Sequence, residues 1–184
     1  MASRMSKKTG QVRSKSTRLI VVIAIVVILV VVGIVVGRSS HGSSDVTLHI
    51  ITWDETTLST LKGTPVVLNF WATTCPHCVV ELSYFEAVAQ ESEGEIKVIA
   101  IDVGESASSI QSVLQSIFDY EPTMAVALDK NGEVFVNYSQ EDNSRWYIPF
   151  TVFVDGEGIV QYIKIGAFQS ETELWETLDS VFEL

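Results

Sequence analysis

Apolar and polar positions divide the chain into one long apolar run and a succession of short ones. Leu19 to Val36 is unbroken Val, Ile, Leu, Ala and Gly. As a helix rising about 1.5 Å per residue it reaches roughly 27 Å, close to the thickness of a hydrocarbon core. Its β-branched content favours a strand in water, but in lipid a single segment satisfies its own backbone only as a helix. Downstream, Val46 to Thr52 reads as a short strand and Asp54 to Leu61 as a turn or short helix. The breaker cluster Lys62-Gly63-Thr64-Pro65 then introduces Val66 to Trp71, an apolar run of central-strand length.

From Cys75 to about Ser92 the period changes. Cys78, Leu82, Phe85, Val88 and Ala89 recur at helical spacing, which predicts a helix with one face on a sheet. Glu95 to Val103 is a second buried strand, and Gly104-Glu105-Ser106 turns into a helix through about Phe118, with Ile110, Val113, Leu114 and Ile117 on one side. Met124 to Leu128 is a third strand; Glu133 to Tyr138 fits helix or strand equally, and Gln140 to Arg145 is a polar loop. Phe150 to Asp155 and Ile159 to Ile165 flank Gly156-Glu157-Gly158 as an antiparallel hairpin. Ser170 caps a last helix, with Glu173 at capping-box spacing and Leu174, Leu178 and Val181 inward. Strands alternating with helices and closed by a hairpin and helix predict an α/β, three-layer sandwich with a mixed central β-sheet, preceded by one transmembrane helix.

Charge sets the orientation. Arg4, Lys7, Lys8, Arg13, Lys15 and Arg18 precede the apolar run with no acidic residue among them, and all 23 acidic residues lie beyond Arg38 against five of the 12 basic ones. The positive-inside rule then predicts a basic cytoplasmic tail over 1–18, a transmembrane anchor over 19–37, a Ser/Gly/His linker over 38–45 and an extracytoplasmic domain over 46–184. A cleaved signal peptide is the competing reading; the run is longer than a usual signal core and no A-x-A site follows it. The acidic exported part excludes nucleic acid as a partner.

Chemistry concentrates in Phe70-Trp71-Ala72-Thr73-Thr74-Cys75-Pro76-His77-Cys78, which holds both cysteines of the protein. At a helix start this spacing places the sulfurs one turn apart, able to cycle between dithiol and disulfide. Cys75, at the N-terminal end where unpaired N–H groups favour an anion, is the expected attacking thiolate, and Cys78 the resolving thiol. Pro76 suits the first turn. A cationic His77 beside Cys75 lowers its pKa further, unless it is an exposed loop histidine without effect. Glu81 stands three residues after Cys78 at the border of the apolar stripe; it is either a solvated helix residue or a carboxyl below the sulfurs that relays the Cys78 proton. No histidine follows His77 and there is no second cysteine pair, so zinc and copper lack a ligand set and neither a metal nor a cofactor is expected.

From Val46 to the C-terminus the sequence resembles the membrane-anchored, thioredoxin-fold thiol-disulfide oxidoreductases of the ResA/TlpA type. The resemblance rests on Leu61-Lys62-Gly63-Thr64-Pro65-Val66-Val67-Leu68-Asn69-Phe70-Trp71-Ala72, on Val103-Gly104-Glu105-Ser106, and on Ile148-Pro149-Phe150-Thr151 ahead of Phe153-Val154-Asp155. It implies a thioredoxin-like fold, a Cys75/Cys78 redox centre, and Pro149 as a cis-proline facing it that exposes the Ile148 backbone to a bound partner. Glu81 falls where such proteins carry their active-site glutamate, and Asn69 replaces the buried aspartate of thioredoxins. Pro76-His77 between the cysteines is similar instead to the oxidising DsbA proteins.

Two directions of electron flow follow. A reductase would take electrons from an integral membrane thiol transporter and pass them to exported thiol proteins such as apocytochrome c; an oxidase would introduce disulfides into exported proteins. A non-enzymatic metal-binding module on the same fold is the alternative from a different class, and a peroxidase lacks its Thr-x-x-Cys setting here.

Overall fold

The computed structural model describes residues 47–50, 56–139 and 147–184. The expected tail, anchor, linker and polar loop over 140–145 lie outside these residues. Among the described residues no helix is long and apolar enough to cross a membrane.

Among the described residues seven strands form one sheet: β1 (Thr47–Ile50), β2 (Thr56–Thr57), β3 (Val66–Trp71), β4 (Lys97–Val103), β5 (Ala125–Asp129), β6 (Phe150–Val154) and β7 (Val160–Ile165), in the order β2-β1-β5-β4-β3-β6-β7. β3, β4 and β5 run parallel, whereas β1 and the β6–β7 hairpin pair antiparallel to their neighbours. β3 lies between β4 and β6 and is buried at every residue, as its unbroken apolar run requires. The helices are α1 (Pro76–Glu91), α2 (Ala107–Ile117), α3 (Glu133–Ser139) and α4 (Glu171–Phe182).

Side-chain alternation along β3 divides the core. Val67 and Trp71 face a cluster with Cys78, Leu82, Phe85 and Val88 of α1, Ile110 and Leu114 of α2, and Leu174 and Leu178 of α4. Val66, Leu68 and Phe70 face the other, with Val134, Phe135 and Tyr138 of α3. There the rings of Phe70, Phe135 and Phe150 meet with centroids 5.6 to 5.7 Å apart. Truncating any of these phenylalanines to alanine carries the usual large-to-small cost of about 3–5 kcal/mol. The layers are therefore α1, α2 and α4 on one face, the sheet, and α3 on the other.

One local expectation changes, one open segment is decided and one cap is refined. Thr56 and Thr57, placed in a turn or short helix by the sequence, form an edge strand against Leu48 and Thr47, and Leu58–Leu61 follows as a 3-10 turn. The segment open to either period is helical. Burial at Val134, Phe135 and Tyr138 follows a helical spacing, and the Asp129 carboxylate accepts the Phe135 N–H at 2.8 Å, satisfying one of the donors a helix start leaves free. At α4 Ser170 does cap, accepting the Glu173 N–H at 3.1 Å, but Glu173 reaches one residue further back, accepting the Gln169 N–H at 2.7 Å. Lys164 draws it there with an ion pair at 2.9 Å.

Candidate active site

β3 delivers the chain to the cysteines at the edge of the core. After Trp71 a tight turn closes with the Cys75 N–H donating to the Ala72 carbonyl at 3.1 Å, and α1 starts at Pro76, whose missing N–H has no partner to lose at that position. Cys75 is the N-cap in extended conformation. Its sulfur accepts the Cys78 N–H at 3.2 Å, as a serine or aspartate cap oxygen would. The two cysteines are joined as a disulfide with Cα atoms 5.3 Å apart. Cys75 is half-buried, whereas Cys78 is fully enclosed. Cys75 is partly open to solvent at the margin of the core cluster that encloses Cys78.

Glu81 is buried with Cys78 on the inner face of α1, one turn on. Asn69 of β3 donates its side-chain amide to Oε1 at 2.9 Å, and the Phe168 N–H donates to Oε2 at 2.9 Å. Burial pushes the Glu81 carboxyl up to about 7; the bonds from Phe168 and Asn69 and the charge of Lys164 oppose that rise, and the charge of Glu173 adds to it. Asn69 also donates to Thr151 Oγ1 at 3.2 Å, directly across the β3–β6 ladder. A buried carboxyl that gains and loses its proton near neutrality is thus built into the helix carrying the cysteines.

His77 is exposed and makes no hydrogen bond or ion pair among the described residues. The Ile148–Pro149 bond is cis, and Ile148 packs against both core clusters, the one containing Cys78 included. No group of three or more metal-ligating side chains exists among the described residues.

Sequence reasoning gave no role to a carboxyl pair, Asp102 and Glu105. Asp102, fully buried on β4, lies beside Trp71 in the parallel ladder, and Glu105 follows it across the Gly104 turn. Burial, the hydrogen bond to Glu105 and its charge push the Asp102 carboxyl up to about 8. Burial pushes Glu105 up as well, but the bonds from Asp102 and Thr73 outweigh it and hold its carboxyl below the ordinary range. The lone carboxylate in Ile99-Ala100-Ile101-Asp102-Val103 was the signal for it. Glu86, the other acidic residue on the inner face of α1, accepts the Thr123 and Met124 N–H groups at 2.9 Å and so fixes the entry to β5.

A sheet of this topology with a C-x-x-C disulfide capping the helix after β3 defines a thioredoxin-like thiol-disulfide oxidoreductase. The chain belongs to the Redoxin family, whose family model matches residues 45–178. It is 28% identical over 135 residues to the thioredoxin-like protein YneN of Bacillus subtilis, covering 73% of this chain and 75% of that one. To the thiol-disulfide oxidoreductase ResA of Oceanobacillus iheyensis it is 33% identical over 111 residues, 60% of this chain and 54% of the other. The solved structure of StoA from Bacillus subtilis superposes with a TM-score of 0.57 at 19% identity, over 73% of this chain and 96% of that one.

Proposed function

We propose that the protein exchanges disulfides with exported protein partners, tethered to the outer face of a cell membrane by the apolar segment 19–37. The observation that carries this reading is the pairing of a half-exposed N-cap Cys75 with an enclosed Cys78, and with Glu81 one turn beyond it. In the reducing direction the Cys75 thiolate attacks one sulfur of a partner disulfide, forming a mixed disulfide and releasing the partner's other sulfur as thiolate. Cys78 then gives its proton to ionised Glu81 and attacks the Cys75 sulfur. The Cys75–Cys78 bond forms, the mixed disulfide breaks, and two electrons have passed to the partner. An integral membrane thiol-electron transporter restores the dithiol. Apocytochrome c thiols are the proposed end product, a reading supported by the ResA-named relatives and by the motifs around Asn69 and Glu81. Pro149 sits in this scheme beside the partner chain, and its neighbour Ile148 pairs with it.

The reverse direction, oxidation of exported dithiols with a membrane oxidase as recycling partner, is the second reading, and Pro76-His77 favours it. A Cys78→Ser variant tests both. Attack through Cys75 remains possible and resolution does not, so a mixed disulfide with a partner accumulates; the redox state of the trapped partner's remaining cysteines gives the direction. Cells that accumulate no mixed disulfide through Cys75 contradict the proposal.

A further inference from the structure

Thr73, two residues before Cys75, is held from the turn that follows the neighbouring strand β4. Its N–H donates to Glu105 Oε2 at 2.6 Å and its hydroxyl to Oε1 at 2.7 Å. Both distances are short, as expected for donors to an ionised acceptor. Glu105 is itself anchored: its N–H donates to Asp102 Oδ1 at 3.1 Å. Gly104, at a φ of 86° that favours glycine, lets the chain double back after β4 so that this bond forms. The other oxygen of Asp102 is enclosed and receives no N–H or O–H donor among the described residues. A buried carboxylate oxygen without a donor beside an ionised glutamate is costly, and a proton on Asp102 shared toward Glu105 removes that cost.

We propose that Asp102 and Glu105 act as one positioning unit for Cys75, Asp102 lending Glu105 a proton while Glu105 grips Thr73 by backbone and side chain. The turn Ala72 to Cys75 is thereby fixed at both ends: Glu105 holds Thr73, and the Cys75 N–H closes on Ala72. A sulfur presented from a fixed turn stays at the helix N-terminus, where the Cys78 N–H reaches it. Asp102 and Glu105 are positioning residues and touch no substrate. This inference rests on the reading of Cys75 as the attacking thiolate.

The test is the second-order rate of iodoacetamide with Cys75 in the reduced full chain at pH 7, with the thermal midpoint measured alongside. Thr73→Val and Asp102→Ala are each expected to slow alkylation about five- to tenfold, and the double variant to be no slower than the slower single, because both disable the same unit. Thr73→Val removes one half-buried hydroxyl, and its midpoint is expected to stay within about 2 °C of the parent. Asp102→Asn, which supplies a permanent N–H donor to Glu105, is expected to restore most of the rate lost in Asp102→Ala. Parent-like rates in Thr73→Val, or effects that multiply in the double variant, overturn the proposal. If Asp102→Ala does not fold, Thr73→Val alone decides. A Cys75 already unreactive in the parent overturns instead the reading on which this inference rests, before any substitution is made.

Discussion

The side chain of Asn69 in the central strand donates to the carboxyl of Glu81 on the following helix at 2.9 Å, and both residues are fully enclosed. This bond joins β3 to α1 behind the disulfide. Asn69 brings no charge of its own, so Glu81 is the one carboxyl this contact places near the buried sulfur. With its pKa pushed up to about 7, Glu81 exists in both protonation states at neutral pH, as a group that takes and returns a proton must.

Glu81→Gln keeps the shape and the acceptor for the Phe168 N–H but cannot take a proton. Steady-state exchange with a protein disulfide is expected to fall about 10²-fold, the usual scale for losing a positioned base. Burst alkylation of Cys75 is expected to change far less, because the loss falls on resolution by Cys78. Equal turnover in the variant and the parent would remove Glu81 from proton transfer.

Stability should depend on pH in a defined sense. Glu81 and Asp102 both have folded values raised above their ordinary ones, from 4.5 to about 7 and from 3.8 to about 8. Between those limits the native state binds more protons than the unfolded chain, so stability falls as pH rises from about 4 to about 8. Glu105 and Glu173, held low, act oppositely and only at the acid end. The thermal midpoint of the disulfide form is expected several degrees lower at pH 9 than at pH 6. Asp102→Asn should flatten the upper part of the decline. A midpoint that climbs over this range contradicts the raised carboxyls.

His77 is exposed two residues after Cys75, where solvent screens charge–charge interactions. An imidazolium still favours the thiolate over the disulfide, so His77→Pro is expected to lower the reduction potential, on the order of 30 mV for a tenfold shift in the dithiol-disulfide equilibrium. Equilibration with glutathione measures it. An unchanged potential assigns the histidine no part in tuning the pair.

Periodicity exposed most of the fold because burial in this domain follows it closely. The apolar run of β3 is enclosed at all positions, and the helical spacing of Cys78, Leu82, Phe85 and Val88 is the inner face of α1. What eluded it were polar residues whose surroundings come from distant strands. Glu86 shares the inner face of α1, but its two N–H donors arrive from residues 123 and 124. Asp102 ends an apolar run, and its meaning depends on Trp71 and Glu105 lying beside it. The Glu133–Ser139 segment was ambiguous because seven residues barely distinguish two periods; the Asp129 carboxylate that caps it decides the matter from outside the segment. Cys75 and Cys78 could be placed at a helix start from their spacing, whereas spacing left Glu81 open between a solvated and a buried position, because its partners Asn69 and Phe168 come from outside the helix.

The central claim is that Cys75 is held as a reactive thiolate at the start of α1. Titrating thiolate absorbance near 240 nm in the reduced full chain, with Cys75→Ser and Cys78→Ser as references, measures it directly. The account predicts an apparent pKa for Cys75 clearly below the usual value of about 8.5, so that thiolate predominates at neutral pH. A Cys75 that titrates at or above that value contradicts it.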